Sequence, residues 1–265
     1  MRKILFGPHP DWERRITERI DPSRFHVTFA DLGTADLASF DLVVPLRLQQ
    51  LNALWSAGAA VRTLIPSRAV CALCDDKLAL ARRLQAEGFG PNIPPIFEGD
   101  PPYPHIRKAR RGLFGKGCEV ILSPDRDEAP LDPASEFRQA CVLGADEYVT
   151  HVIRAQGAIR FARTYRYTMD GEHAVRGYRE KPLLCERAEA GMPLETLAAM
   201  LASIGYEGTC CLNYKLREGR VMLFEINPRF GGSLVRDVDA YVAAHLKVFE
   251  DGEEGLRVGN LRGEV

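Results

Sequence analysis

The sequence predicts a small α/β unit followed by a larger α+β body, and three observations predict it. Over residues 1 to about 70, short apolar runs alternate with amphipathic stretches, the pattern of a parallel sheet with helical crossovers. Residues 210–216 and 220–226 are two strand-like runs around Glu218-Gly219, hence an antiparallel hairpin. Between these regions, a Pro-rich connector over 91–104 and a Gly-rich basic run over 108–117 mark off a further section of the chain.

The elements follow in order. Residues 3–6 read as a first strand, 11–20 as a helix, and 24–30 and 41–46 as further strands. Residues 48–57 are helical and 61–65 a last strand of this unit. Asp75-Asp76 opens a helix that runs to about Glu87 and is closed by Gly88. Strands at 106–109 and 118–122 flank the glycine loop, and the polar stretch 123–133 is an exposed loop. Residues 147–154 and 158–168 form two strands joined at Gln156-Gly157, and 194–203 is a helix with Gly205 just beyond it. The hairpin follows, then a last helix over 236–250, and the Gly- and charge-rich end is frayed.

Composition narrows the function classes. The chain has 265 residues, 46% hydrophobic and 27% charged, with a net charge of -1. That balance leaves no basic footprint for nucleic acid or an acidic membrane surface. No apolar run approaches the ~20 residues needed to span a bilayer. The N-terminal run reads as a strand rather than a signal-peptide core, so a cytoplasmic location is the default. Seven cysteines, an odd number, argue against a disulfide framework. Cys71 and Cys74 form a C-x-x-C and Cys210-Cys211 an adjacent pair, but the second spacing is wrong for a zinc knuckle. The seven read as reduced, mostly buried thiols.

The richest stretch is Phe224-Glu225-Ile226-Asn227-Pro228-Arg229-Phe230-Gly231-Gly232. Val221 to Phe224 is a short apolar run, Pro228 ends the strand, and the glycine pair lets the backbone turn. Glu225, Asn227 and Arg229 fall at i, i+2 and i+4 and so share one face. Glu225 and Asn227 offer oxygen ligands to a hard cation, and Arg229 offers a positive fork to phosphate or carboxylate. Such a face suits magnesium-bound polyphosphate. In Lys108-Ala109-Arg110-Arg111-Gly112-Leu113-Phe114-Gly115-Lys116-Gly117, glycines allow backbone N–H groups to approach phosphate oxygens and lysines add charge. His151 and His173 have no partner spacing that favours metal or base work.

The unbroken E-I-N-P-R-F-G-G resembles the metal-binding strand of the ATP-grasp superfamily, especially its carbamoyl-phosphate-synthase-like, carboxylate–amine ligase branch. The resemblance implies a small Rossmann-like pre-ATP-grasp α/β domain over residues 1–70. A two-subdomain ATP-grasp fold then covers 71–265, with a glycine-loop subdomain at about 100–145. It implies Lys77, of a D-K pair with Asp76, and Lys108 as nucleotide lysines. Asp76 itself reads as a helix cap. Gly112, Gly115, Lys116 and Gly117 become a phosphate-covering loop, in which Ala109 replaces the usual proline and Leu113-Phe114 the usual small residues. Val142 and Leu143 become the adenine hinge and Glu147 the ribose carboxylate. Glu225, Asn227 and Asn213 become metal ligands, with Asn213 standing where the family usually has Asp, Glu or Gln and Lys215 close behind it. Arg229 and Lys108 carry the catalytic roles, and Arg163, Arg166, Arg176 and Arg179 are candidates for the γ-phosphate and substrate carboxylate.

The implied activity is ATP-dependent ligation of a small-molecule carboxylate to an amine, through an acyl phosphate, with release of ADP and phosphate. Mg2+, or Mn2+ in its place, is the implied cofactor, and a homodimer is an assembly common among relatives. A bicarbonate-activating enzyme is a variant of this reading. The alternative is a nucleotide-binding regulatory protein of weak or no turnover, favoured by the uncharged Asn213.

Overall fold

The computed structural model describes residues 1–58, 61–112, 115–126, 130–177, 180–188 and 193–251. Arg179, the Leu113-Phe114 loop tip and the end beyond residue 251 therefore lie outside the described residues.

The chain opens with β1 (Arg2–Phe6), α1 (Glu13–Thr17), β2 (Phe25–Phe29), β3 (Leu42–Val44) and α2 (Leu51–Ala57). The three strands form a parallel sheet in the order β2-β1-β3, as the alternation predicts. Side chains alternate across β1: Ile4 and Phe6 face one apolar cluster with Leu42 and Val44, while Leu5 and Val43 face another with Leu54. Both faces of the sheet are thus covered. The helix expected over 11–20 is the short α1, whose N-cap Trp12 makes no side-chain capping bond. The strand expected over 61–65 is an extended connector: Arg62 O accepts from Val43 N (2.9 Å) and Leu64 O from Thr209 N (3.1 Å), with no ladder between those bonds.

Then come α3 (Arg68–Asp75) and α4 (Lys77–Leu84). The sequence reading missed α3, whose signal is the cap Ser67, accepting from Val70 N at 3.3 Å. Asp76 breaks the pair at φ -96°, ψ 98° and caps α4 by accepting from Ala79 N at 3.1 Å. The chain leaves the following turn at Gly88, with φ 91°. Cys71 and Cys74 are buried on α3, and burial pushes their thiols up to about 11 and about 12.

Two antiparallel sheets make up the rest. β4 (Ile96–Phe97), β5 (His105–Ala109), β6 (Cys118–Ile121) and β7 (Glu136–Ala140) pair in the order β4-β7-β5-β6. β8 (Asp146–Ala155), β9 (Ala158–Thr168), β10 (Leu184–Arg187), β11 (Gly208–Arg217) and β12 (Arg220–Asn227) pair in the order β10-β9-β8-β11-β12. The short strands β4, β7 and β10 carry no alternation long enough to read from sequence. α5 (Leu194–Ser203) and α6 (Val238–Asp251) complete the fold.

α5 and α4 pack on β11 and β12 through Leu201, Leu84 and Leu212, all fully buried. α6 joins the larger sheet to the N-terminal one: Tyr241, Val242 and Phe230 share one cluster with Ile4, Phe6 and Phe161. No helix of the described residues is long and apolar enough to cross a membrane.

Candidate functional site

The two antiparallel sheets face each other across a cavity of about 710 Å3, which the N-terminal unit closes at one end with Asp11, Trp12 and Arg15. One wall is the β11–β12 hairpin. Asn213 pairs with Glu225 across the ladder, but Tyr214 pairs with Leu223, so Phe224 is the extra residue of a β-bulge. The bulge lets Phe224 and Glu225 both face the cavity, together with Asn227 and Arg229.

Glu225 is the hub. Its Oε1 accepts from Asn213 Nδ2 at 2.7 Å and Asn227 Nδ2 at 2.8 Å, and its Oε2 lies 3.6 Å from Lys77 Nζ. Burial pushes this carboxyl up, but Lys77, the Asn227 amide and Arg176 outweigh it and hold it below the ordinary glutamate range. Asn213 Oδ1 is buried with no hydrogen-bond partner. One carboxylate and two carboxamides thus converge, with an amide oxygen left over. That donor set fits Mg2+, which takes one or two protein carboxylates and draws its other oxygens from water and phosphates. Among the described residues no three His, Cys, Asp or Glu converge anywhere.

The opposite wall is β5 with the glycine loop. Lys108 is 6% exposed; its Nζ donates to Gln139 Oε1 (2.9 Å) and sits 5.1 Å from the Phe224 ring centre. Burial lowers the Lys108 ammonium below the usual lysine value, and Glu225 opposes the shift. Gln139 is held in turn by Pro94 O at 2.8 Å. It is a positioning residue that the sequence reading missed, detectable only once β7 is paired with β5.

Ala109 N donates to Gly117 O at 2.6 Å, a bond that proline at 109 could not make. Gly117, at φ 71°, packs on Ala109 and does not itself line the cavity. Gly115, at φ 67°, comes so close to the far side that a Cβ there would lie 3.0 Å from Arg176 O. Gly112 and Lys116 line the cavity, and Lys77 Nζ donates to Gly112 O at 2.8 Å, tying loop to hub.

Val142 lines the cavity, and its carbonyl accepts from Lys215 Nζ at 3.2 Å. Lys215 does share the face of Asn213, yet its ammonium is spent on this linker rather than beside Glu225. Leu143 is 44% exposed and lies outside the cavity, because the linker turns away after Val142. Glu147 lines the cavity and accepts from Arg176 Nε (2.8 Å) and Nη2 (2.7 Å). Burial raises the Glu147 carboxyl above the usual value against the pull of Arg176.

Of the four candidate arginines, Arg176 lies in the cavity, over the Tyr167 ring at 4.3 Å. Arg163 lies outside it, 3.9 Å from Asp237 and over Phe161. Arg166 is bound to Glu186 and lies 3.5 Å from Asp146, on the opposite face of β9 from Tyr167. Strand alternation takes Arg166 away from the cavity, and Arg163, four residues before Tyr167 on its face, lies beside Asp237. Arg179 falls outside the described residues.

At the far end of the cavity lie Arg229, which the sequence singled out, and His151, which it set aside for want of partner spacing. His151 lines the cavity, with Nε2 2.7 Å from Ser233 Oγ and Nδ1 unpartnered. Burial, with Arg229 and Arg176 nearby, drops its pKa to about 3, so the imidazole is neutral. Gly231 is required beside it, since a Cβ there would lie 2.5 Å from His151 Cε1. Arg229 donates to the Phe230 carbonyl at 2.8 Å and has no carboxylate partner among the described residues.

Solved structures resemble the whole chain. D-alanine–D-alanine ligase from Bacillus anthracis matches with a TM-score of 0.62 at 14% identity, over 96% of this chain and 99% of that one. Biotin carboxylase from Campylobacter jejuni, solved as a β-γ-ATP complex, matches with a TM-score of 0.65 at 14% identity, over 94% and 70%. L-amino acid ligase from Bacillus licheniformis matches with a TM-score of 0.60 at 14% identity, over 89% and 69%. No family model matches the sequence, and no curated protein does. At these identities the likeness is one of fold: a parallel N-terminal sheet followed by two antiparallel sheets that enclose the cavity, the ATP-grasp fold.

Proposed function

We propose that the chain is an ATP-dependent carboxylate–amine ligase that activates its carboxylate as an acyl phosphate and releases ADP and phosphate. The observation that carries the reading is the convergence of Glu225, Asn227, Asn213, Lys77 and Lys108 in one buried cavity. Similar structures include a ligase solved with ATP.

In this reading the apolar part of the cavity, with Ile106, Val120 and Val142, takes the adenine. Lys108, Lys77 and the backbone of the glycine loop neutralise the phosphates. Glu225, Asn227 and Asn213 hold Mg2+, which when bound would screen the β- and γ-phosphate charge. Phosphoryl transfer asks a protein for in-line positioning and charge neutralisation rather than covalent chemistry. Arg229 steadies the phosphoryl group as it moves to the substrate carboxylate, and then the acyl phosphate. The amine attacks the acyl carbon, the new C–N bond forms, the C–O bond to phosphate breaks, and the amine's protons pass to water and phosphate. Neutral His151 adds no charge beside Arg229 and can accept a hydrogen bond there. Arg176 holds Glu147 at the ribose end.

The test is calorimetric titration with ATP, with and without Mg2+, followed by hydroxylamine trapping across a panel of carboxylates. Magnesium-dependent binding and a hydroxamate from one carboxylate are the expected results. A wild-type protein that binds no nucleotide sinks the reading. A second reading, a nucleotide sensor without turnover, is favoured by one observation: the metal set contains a single carboxylate. Tight MgATP binding with no hydroxamate from any carboxylate would select it.

A further inference from the structure

The base end of the cavity contains a charged side chain that the proposed reaction does not use. Lys215 stands on β11 two residues past Asn213, shares its face and lines the cavity. It is 5% exposed. Its Nζ donates to Val142 O at 3.2 Å and, more weakly, to Glu172 O at 3.5 Å. Val142 lies in the linker between β7 and β8, and Glu172 in the turn after β9. The ammonium thus ties together two segments beside the base. Burial lowers it below the usual lysine value, and Glu147 leads the groups that oppose the shift.

The hydrogen-bonding capacity left at this end is that of a donor. A lysine ammonium has three protons to give and accepts nothing. Two of them go to these carbonyls, and among the described residues Nζ has no further partner. The acceptors nearby are already in use. Val142 O takes Lys215, and Glu172 O takes Gly144 N at 3.1 Å as well as Lys215. Glu147 is taken by Arg176. The other side chains around the base, Ile106, Val120, Ala140 and Phe224, are apolar, and Cys141 offers only a weak acceptor.

Purine bases differ in what they present to such a donor. A 6-oxopurine carries two adjacent acceptors, O6 and N7, an edge that lysine reads in nucleic acids, whereas adenine carries an amino group in place of O6. An amino group facing the ammonium sets donor against donor and leaves both unpaired, which costs binding. The N1–H of a 6-oxopurine has the second lone pair of the Val142 carbonyl to meet it. We propose that Lys215 reads the base of the triphosphate and favours an oxo group at position 6, so that GTP and ITP bind ahead of ATP. The inference rests on the nucleotide reading of this cavity, and the acyl-phosphate chemistry is the same whichever base is held.

The experiment is calorimetric titration of the full chain with the magnesium salts of ATP, ITP and GTP. ITP isolates the oxo group, because it lacks the 2-amino group of GTP. ITP and GTP should each bind about tenfold or more tightly than ATP, the scale for pairing a buried charged donor. Lys215→Met keeps the buried stem and removes the donors. It should erase the preference, weakening ITP and GTP and leaving ATP no weaker. The wild-type series decides even if Lys215→Met does not fold. ATP affinity equal to or above that of ITP would mean that the ammonium meets a ring nitrogen instead; that result overturns the inference and leaves the nucleotide reading intact. A preference for ITP and GTP that survives in Lys215→Met removes Lys215 as its cause. Absence of binding by all three strikes the nucleotide reading and this inference together.

Discussion

The two ends of the cavity, which a second cavity lined by His9 and Arg47 joins at Asp11, Trp12 and Arg229, are built differently. At the Glu225 end nearly every charge already has a partner: Glu225 has two amides and Lys77, Lys108 has Gln139, and Glu147 has Arg176. At the end closed by the N-terminal unit, Arg47 and Arg229 have no carboxylate partner among the described residues, and His9 and His151 each leave Nδ1 unpaired. A network that is satisfied internally holds its geometry before a ligand arrives, so little reorganisation is needed on binding. The two buried Nδ1 atoms lack a hydrogen bond and cost stability until one is supplied, whereas water satisfies the exposed Arg47.

The largest break in this contrast is Glu225→Gln. It removes the one carboxylate at the hub and leaves both carboxamides without their acceptor charge. ADP formation should fall by about 10²–10³-fold, the scale for loss of one preorganised electrostatic group at a reacting phosphate, with an unaltered circular dichroism spectrum. Turnover within a factor of a few of wild type would remove Glu225 from the site.

Lys108→Met keeps the buried stem and deletes the charge. ATP affinity should drop by roughly 1–3 kcal/mol, the worth of a charged hydrogen bond, seen by calorimetry. Affinity equal to wild type would mean that Lys108 only braces Gln139.

The contrast also explains what could be read from the sequence. The Glu225 end was legible because its residues are local: Glu225 and Asn227 sit on β12, Arg229 follows two residues past its end, and Lys108 stands beside the glycine loop. Period-2 alternation and two glycine-rich turns suffice to put them on shared faces. Even there the reading carried only so far. Arg163 and Arg166 lie outside the cavity, Arg166 because it faces away from Tyr167 on β9 and Arg163 at a position further along the strand, beside Asp237. Leu143 is exposed and does not line the cavity, and the tie from Lys215 to the Val142 carbonyl spans 73 residues, a contact that local patterns do not reveal. Of the N-terminal end only Arg229 was legible. His9, Asp11 and Arg47 come from loops after two different strands, and only the β2-β1-β3 order brings them together. The sheets followed the same rule. The ten-residue strands β8 and β11 announce themselves, whereas the two-residue β4 exists only because β7 lies beside it.

Acid should separate burial from site chemistry. His151 in the cavity and His245 in α6 are both fully buried, and burial lowers each from 6.5 to about 3. As pH falls below 6.5 the unfolded chain takes up a proton that the folded chain refuses, so stability falls with pH; the term is absent above 6.5. By pH 5 the loss is about 2 kcal/mol per histidine. His245 Nδ1 bonds only to Tyr241 OH, which keeps Thr209 as a second partner. His245→Phe should therefore remove one share of the acid loss in urea melts and leave MgATP affinity unchanged. An acid slope identical to wild type would show that α6 opens to water before it titrates.

The smallest and most discriminating change is Asn213→Asp. If the single carboxylate limits metal affinity, a second one should tighten it, because affinity for hard cations is tuned by ligand charge count. The new carboxylate would lie about where Asn213 Nδ2 now stands, 2.7 Å from Glu225 Oε1. Without a cation the two charges repel, and the apo protein should lose roughly 1 kcal/mol, as like charges facing across a ladder do. With Mg2+ and ATP the sign should reverse, and the Mg2+ needed for half-maximal ATP binding should fall about tenfold. A variant destabilised both with and without Mg2+ would place the cation elsewhere. A variant that gains affinity and also gains turnover would mean that Asn213 had been holding a working site below its capacity, and the sensor reading would lose its one supporting observation.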